Sequence, residues 1–182
     1  MLEGALVRLR PVEEKDLGLL EQWGRSREGL WGSYQRFQLD HLPMLVSAFR
    51  ENGLLSRDFA ILLIEDVSDE SIVGFVRYTL LRFPDADLPY PEIGYGVPDD
   101  ANRGRGVATE ATRLLVEYLF AGYPCERIAA FADVENVPSQ RVLEKLGFEH
   151  EGTLRRATFR DGAWRDLAVY SLLRNRKEGS QP

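Results

Sequence analysis

The chain has 182 residues, of which 44% are hydrophobic and 29% charged, and its formal net charge is −6. This length and composition predict one globular domain with a full core, and the negative charge argues against nonspecific binding to nucleic acid. No apolar run approaches the ~20 residues that span a bilayer, and the segment from Met1 to Gly4 lacks the basic start and apolar core of a signal peptide. We therefore expect a cytoplasmic protein.

Residues that could bind metal are few and scattered. Cys125 is the only cysteine, which excludes an intramolecular disulfide and a multi-cysteine metal site. His41 and His150 lie far apart in the chain and have no carboxylate-rich partners at metal-ligand spacing, so we expect no metal. Acidic residues concentrate in the middle of the chain, where they indicate either a site for a cationic substrate or a solvated face.

The first half of the chain predicts three strands and two helices from its apolar spacing. In chain order they are a strand Leu6 to Arg10, a helix Glu13 to Trp23, a helix His41 to Phe49, and the hairpin strands Phe59 to Ile64 and Ser71 to Leu80. Between the two helices lies a loop-like aromatic tract that contains Trp31 and Tyr34. An acidic turn, Glu65 to Glu70, joins the two hairpin strands.

The second half predicts four strands and two helices. In chain order they are a strand Glu92 to Val97, a helix Thr112 to Leu119, a strand Arg127 to Val134, a helix Asn136 to Leu146, and strands Leu154 to Arg160 and Ala163 to Leu173. Proline in the first turn and Gly147 just past the end mark the bounds of the second helix. The dipeptide Asp161-Gly162 is a strong signal for a hairpin between the last two strands.

The stretch from Pro98 to Ala111 joins a strand to a helix through a glycine-bearing turn. A helix start leaves backbone N–H groups without intrahelical partners and carries partial positive charge. Gly104 and Gly106 allow positive φ and a close approach to a ligand, and Arg103 and Arg105 bring cations to the same rim. The stretch therefore predicts a site for a phosphate ester; a glycine-rich turn with solvated arginines is the alternative.

The spacing within this turn decides which phosphate ligand it favours. It lacks the glycine-lysine-serine/threonine ending of a P-loop and the three glycines of a dinucleotide fingerprint, so ATP and NAD are weakly supported. It does contain Arg-x-x-Gly-x-Ala from Arg103 to Ala108, followed by Thr109-Glu110-Ala111. This pattern resembles the acetyl-CoA pyrophosphate loop of the GNAT superfamily of N-acetyltransferases.

The resemblance extends over essentially the whole chain and is closest to the RimJ/RimL-like (ribosomal-protein-alanine N-acetyltransferase-like) branch. The strings that carry it are Glu92-Ile93-Gly94-Tyr95, Gly106-Val107-Ala108-Thr109-Glu110-Ala111, Asn136-Val137-Pro138-Ser139, Leu143-Glu144-Lys145-Leu146-Gly147-Phe148 and Tyr170-Ser171-Leu172-Leu173. It implies one α/β (α+β) domain over residues 1–175 and a polar tail over 176–182. The implied mixed sheet has about seven strands, flanked by about four helices, and splays between its fourth and fifth strands.

The resemblance also implies where acetyl-CoA binds. Its pantetheine arm would insert between the splayed strands and pair with backbone groups of Tyr95, Gly96 and Val97, and its pyrophosphate would lie on the glycine turn. The implied cofactor-binding residues are Tyr95, Gly96, Val97, Arg103, Gly104, Arg105, Gly106, Val107, Ala108, Thr109 and Asn136. For Asn136, capping of the following helix is the alternative interpretation.

The catalytic residues implied by the family are Glu92 and Ser139. Glu92 would act as the base, directly or through water; as an alternative it only orients a cationic substrate or is solvated. Many GNAT enzymes have a tyrosine acid seven residues after the asparagine, but Leu143 stands there in this chain. Ser139 would instead donate a hydrogen bond to the sulfur, or would only cap its helix. Trp31 and Tyr34 would line the acceptor pocket, unless they pack in the core.

The function that follows is acetyl-CoA-dependent transfer of an acetyl group to a primary amine by direct attack in a ternary complex. A protein N-terminus, an aminoglycoside-like drug, a polyamine and an amino acid derivative all remain open as acceptors. A catalytically silent acyl-CoA-binding sensor on the same fold is the alternative, and an unrelated nucleotide-binding domain is a weaker one. Analogy with the fold also allows a homodimer.

Overall fold

Eight strands form one sheet in the computed structural model, which describes residues 2–25, 34 and 42–174. They are β1 (Leu2–Glu3), β2 (Val7–Pro11), β3 (Phe59–Asp66), β4 (Ile72–Leu81), β5 (Tyr90–Gly96), β6 (Arg127–Asp133), β7 (Glu149–Arg160) and β8 (Ala163–Leu173). The order across the sheet is β1-β2-β3-β4-β5-β6-β8-β7. Only β5 and β6 run parallel among these neighbouring pairs; the others are antiparallel.

The described residues also form four α-helices, as expected from the sequence. They are α1 (Leu17–Arg25), α2 (Leu42–Asn52), α3 (Val107–Gly122) and α4 (Val137–Lys145). None of them is long and apolar enough to cross a membrane. Residues 26–33, 35–41 and 175–182, which include Trp31 and the expected polar tail, lie outside the described part of the chain.

The sequence predicted about seven strands, one fewer than the eight observed. The missed strand is β1, whose two residues are too few to show an alternation of apolar and polar side chains. A side chain of α3 holds the segment that follows β1. The Glu110 carboxylate accepts backbone N–H groups from Ala5, Leu6 and Val7 at 2.8, 2.6 and 3.0 Å. This carboxylate therefore holds the turn that pairs β1 with β2.

The two faces of the sheet bury separate apolar clusters because successive side chains of a strand point to opposite faces. One cluster joins Ile93 of β5 to Leu115 of α3 and Leu143 of α4. The other joins Leu63 and Phe75 to α1 and α2. Neighbouring residues of β5 consequently face different helix pairs.

The parallel pair β5 and β6 separates soon after it forms. Its Cα pairing is limited to Glu92 with Ala129 and Ile93 with Ala130, although β5 continues to Gly96 and β6 to Asp133. We call the opening beyond Ile93 and Ala130 the wedge. The expected splay between the fourth and fifth predicted strands is thereby confirmed.

Candidate active site

The turn between β5 and α3 lies at the open end of the wedge. Gly104 and Gly106 have φ values of 75° and 88°, in the left-handed region that glycine adopts without strain. Gly106 is the N-cap of α3, and its carbonyl accepts the N–H of Glu110 at 3.0 Å. The amides of residues 107–109 precede this bond and face the turn. The turn therefore offers N–H groups and the positive end of a helix dipole to an anion.

The two arginines of the turn are bonded within the protein. Arg103 donates from Nε to the Val97 carbonyl at 2.9 Å and from Nη2 to the Pro98 carbonyl at 3.1 Å. Arg105 donates from Nη2 to Asp66 Oδ2 at 3.0 Å. Sequence reasoning assigned both cations to the ligand rim, but these bonds also fix the shape of the loop. The helix amides are thus the main candidates for contact with an anion.

Side chains from β5 and α4 meet on the face of the wedge that α3 and α4 cover. Tyr95 Oη lies 2.9 Å from the Ser139 carbonyl and 2.9 Å from Ser139 Oγ. Asn136 is the N-cap of α4, and its Oδ1 accepts the N–H of Ser139 at 3.2 Å. Asn136 therefore caps the helix, as its alternative interpretation predicted. The cap is the amide oxygen of Asn136, and the Ser139 hydroxyl contacts Tyr95.

Glu92 lies on the opposite face of β5 and is only 6% exposed. Arg77 of β4 donates to both of its oxygens, from Nη1 to Oε2 at 2.5 Å and from Nη2 to Oε1 at 3.1 Å. Burial raises the pKa of Glu92, and the charge and hydrogen bonds of Arg77 partly offset that rise. The carboxylate is therefore oriented by a fixed cation.

Arg77 is a residue that sequence reasoning missed. It lies directly opposite Gly94 in the β4–β5 register, and a Cβ at position 94 would lie 3.0 Å from its Nε. The glycine thus makes room for the guanidinium beside Glu92. The sequence does contain a signal for this residue, because Arg77 is the single arginine inside the apolar run Ile72 to Leu81.

Tyr34 is the one described residue between α1 and α2. The Arg160 guanidinium carbon lies 5.2 Å from the centre of its ring. Arg160 also donates to Asp133 Oδ2 at 3.1 Å, and Asp133 is the last residue of β6. Tyr34 is therefore connected through Arg160 to the end of β6, whereas Trp31 lies outside the described residues.

The remaining predicted residues line the same region. Gly96 is the last residue of β5, Val107 is the buried first residue of α3, and Ala108 and Thr109 are half-buried in its first turn. Leu143 is buried in the core and has no polar group to offer. The wedge thus has open strand edges for an extended amide-bearing chain, an anion site at one end, hydroxyls on one face and a carboxylate on the other.

Comparison with known proteins supports this interpretation. The family model for the acetyltransferase (GNAT) domain matches residues 7–149. The Probable N-acetyltransferase YjcK of Bacillus subtilis (strain 168) is 30% identical over 184 residues, which cover 95% of this chain and 97% of that protein. The ribosomal-protein-serine acetyltransferase of Escherichia coli (strain K12) is 30% identical over 82 residues, covering 45% of each chain.

A solved structure gives the same fold. Spermidine N-acetyltransferase from Vibrio cholerae, in complex with CoA and spermine, superposes with a TM-score of 0.78 at 19% identity. The match covers 92% of this chain and 95% of that one. The fold and the RimJ/RimL-like resemblance expected from the sequence are confirmed, and the chain belongs to the acetyltransferase (GNAT) domain family.

Proposed function

We propose that the chain transfers an acetyl group from acetyl-CoA to a primary α-amine, such as a protein N-terminus, by direct attack in a ternary complex. The observation that carries this proposal is the wedge, which joins open parallel strand edges to the start of α3. An extended chain with amides and a pyrophosphate at its end requires these two features together. Acetyl-CoA has that chemistry, which ATP lacks because it has no amide-bearing arm.

The cofactor-binding assignments follow from the same geometry. Beyond Ile93, the described residues give β5 no strand partner on its β6 side, so the backbone groups between Tyr95 and Val97 that face this side would pair with the pantetheine amides. The Val97 carbonyl already accepts from Arg103. The amides of the turn from Gly104 to Thr109 would hold the pyrophosphate. Arg103 and Arg105 would brace this turn, and Asn136 would order the start of α4 beside the cofactor.

The reaction requires a neutral amine. Glu92 is the proposed base that takes the proton of the bound ammonium group, directly or through water, and so produces the free amine. The amine nitrogen then forms a bond to the acetyl carbon as the bond from that carbon to sulfur breaks, and the second proton that nitrogen loses passes to the released thiolate or to water. Because Arg77 donates to both oxygens of Glu92, the carboxylate is already oriented before the substrate binds.

The departing sulfur carries the negative charge at the end of the reaction. Ser139 lies in the first turn of α4, and its hydroxyl is the proposed hydrogen-bond donor to this thiolate. An aliphatic thiol has an ordinary pKa of about 8.5, well below that of an alcohol, so its thiolate can depart with the help of a hydrogen bond. The leucine at position 143 is then no obstacle to turnover.

The choice of an α-amine rests on the cost of deprotonation. At roughly neutral pH a lysine-type amine with a pKa near 10.4 costs about 4 to 5 kcal/mol to deprotonate, whereas an α-amine near 8 costs about 1 to 1.5 kcal/mol. Arg77 also holds a positive charge against the proposed base, which disfavours a polycationic acceptor. Trp31 and Tyr34 are proposed to line the acceptor side.

Release of free thiol from acetyl-CoA tests the proposal over a panel of amines. The panel contains short peptides with varied first residues, lysine side chains, polyamines and aminoglycosides. We expect the peptides to give the fastest release. Faster release with polyamines would overturn the α-amine assignment, and silence with acetyl-CoA bound would favour an acyl-CoA sensor. Displacement of acetyl-CoA by ATP would favour a nucleotide-binding domain.

The glycine turn gives a test of cofactor binding. We expect Gly106→Ala to raise the Kd for acetyl-CoA about tenfold, because a Cβ in the left-handed conformation costs about 1 to 2 kcal/mol. The free variant relieves that strain by moving the turn, and binding of acetyl-CoA must restore the original conformation of the turn. Equilibrium dialysis with acetyl-CoA measures the change.

Gly162→Ala is the matched control for this variant. Gly162 also has a positive φ, 75°, but it lies in the hairpin turn between β7 and β8. We expect the control to lower stability without changing the Kd. An unchanged Kd in Gly106→Ala would show that the amides of this turn do not contact the cofactor.

We propose a cytoplasmic location, since ribosomal proteins, on which the E. coli relative is named as acting, are cytoplasmic. We also propose a homodimer formed through the closing hairpin. Its edge strand β7 exposes Leu154 and Phe159, and the neighbouring Trp164 of β8 is 61% exposed. Burial of these side chains against a second copy would remove apolar surface from water.

A further inference from the structure

Tyr95 is the side chain that bridges the wedge on its α3 and α4 face. It lies on β5 two residues beyond the last β5–β6 pair, and its hydroxyl bonds to the first turn of α4, the helix that follows β6. The contact joins residues 44 positions apart in the chain. The two diverging strands are thus linked through one phenol group at the place where they are no longer paired.

The protons in this contact can be assigned from its chemistry. The Ser139 carbonyl has no proton to give, so Tyr95 Oη–H donates to it at 2.9 Å. The second contact, at 2.9 Å between Oη and Ser139 Oγ, is then favourable only if the serine hydroxyl donates to Oη. In this arrangement the Tyr95 oxygen holds the serine hydroxyl in one rotamer.

The geometry points to Tyr95 as the positioning residue that orders the Ser139 hydroxyl and supports it as a donor to the thiolate. This inference rests on the proposed function, in which Ser139 donates to the departing sulfur. When charge forms on sulfur, the Ser139 hydroxyl turns to donate to it, and the Tyr95 hydroxyl turns to donate to Ser139 Oγ. Two linked hydrogen bonds then stabilise the charge cooperatively, and no proton is transferred between these groups.

The surroundings of Tyr95 suit this role. Burial raises its pKa to about 12, so the phenol keeps its proton at neutral pH and always has one hydrogen to donate. The Ser139 backbone N–H is already bonded to Asn136, which leaves the hydroxyl as the polar group of Ser139 that can reorient. Tyr95 therefore acts through Ser139 and is not itself the acid.

The first test measures the bound CoA thiol and needs no acceptor. We expect Tyr95→Phe to raise the pKa of this thiol by about one unit, which corresponds to loss of one hydrogen bond to a charged group. The measurement is the ultraviolet absorbance of the thiolate in CoA complexes as a function of pH, after subtraction of the protein alone. Ser139→Ala should give the same rise, and the double variant should give no further rise.

Turnover supplies the second readout. With an accepted amine, Tyr95→Phe should lower kcat about tenfold and leave KM for acetyl-CoA within about threefold. Tyr78→Phe is the matched control, because the Tyr78 hydroxyl also donates to a carbonyl, that of Ser56 at 2.9 Å, and contacts a second hydroxyl, that of Tyr123 at 2.7 Å. The control should lose stability without moving the thiol pKa or kcat.

The outcomes separate the inference from the proposed function. If Tyr95→Phe lowers only the unfolding temperature and leaves the thiol pKa at the wild-type value, Tyr95 merely fastens α4 to β5 and the inference is overturned. Independent effects of Tyr95→Phe and Ser139→Ala, adding in the double variant, would overturn it as well. If the wild type acetylates none of the amines and the thiol pKa still rises in both variants, the proposed function fails, and what stands is that Tyr95 and Ser139 together stabilise the thiolate of bound CoA.

Discussion

Replacement of Glu92 by glutamine should slow acetyl transfer to a peptide α-amine about 10²-fold at roughly neutral pH, with the Kd for acetyl-CoA within about threefold. Glutamine keeps the shape of the side chain and one oxygen for Arg77 but cannot take a proton. The cofactor should still bind, because its proposed contacts are backbone groups of the wedge and the glycine turn. Steady-state rates and equilibrium dialysis on the same preparation measure the two quantities.

The pH dependence of this variant separates a base from an orienting group. As the pH rises through the pKa of the acceptor amine, the free amine becomes abundant and the base is needed less. The ratio of wild-type to variant kcat/KM should therefore shrink toward alkaline pH. A constant ratio across the range would mean that Glu92 only orients the substrate, and wild-type rates at every pH would remove it from the mechanism.

Glu65→Gln is the control for loss of a buried ion pair. Glu65 is also 6% exposed, and it accepts from Arg10 Nε at 2.7 Å and from Arg8 on the neighbouring strand. Weakening that pair should lower the free energy of unfolding without changing kcat. A comparable fall of kcat in both variants would indicate a general loss of structure in place of a missing base.

The parts of the fold and site that were predictable depend on local chemistry. Gly104 and Gly106 adopt positive φ, and Asn136 caps a helix that ends before Gly147, whose φ is 84°. These properties belong to single residues and their immediate neighbours, so the sequence alone indicates them. The hairpin turn Asp161-Gly162 was found for the same reason, since both residues have positive φ there.

The parts that were missed depend on distant contacts. Arg77 and Glu92 meet only because the β4–β5 register places Arg77 opposite Gly94. The Tyr95–Ser139 contact depends on how α4 packs against the splayed sheet. Strand β7 begins at Glu149, five residues before the expected Leu154, because register shifts near Gly152 and after Leu154 interrupt the alternation that marks a strand. No local pattern encodes these arrangements.

Replacement of Asp16 by alanine should lower the free energy of unfolding by about 3 to 5 kcal/mol, because it removes one partner of a buried ion pair. Arg10 donates to both Asp16 oxygens, at 2.7 and 2.9 Å, and Asp16 also accepts the N–H of Glu13 at 2.8 Å. The Arg10 and Asp16 side chains are 8% and 6% exposed. The variant leaves Arg10 with Glu65 as its remaining carboxylate.

Lys15→Ala is the matched control, since the Lys15–Glu13 pair is 70% and 55% exposed and solvent screens it, so its loss should change stability little. Urea unfolding measures both variants.

Hydrogen bonds from Arg10 lower the pKa of Asp16 below its ordinary value near 3.8 despite its burial. The stabilisation by Asp16 is therefore complete above that ordinary value and is lost as the pH falls through the lower folded-state pKa. The difference between wild type and Asp16→Ala should shrink in acid. A difference below the Lys15→Ala value near neutral pH would mean that the Arg10–Asp16 pair does not stabilise the fold.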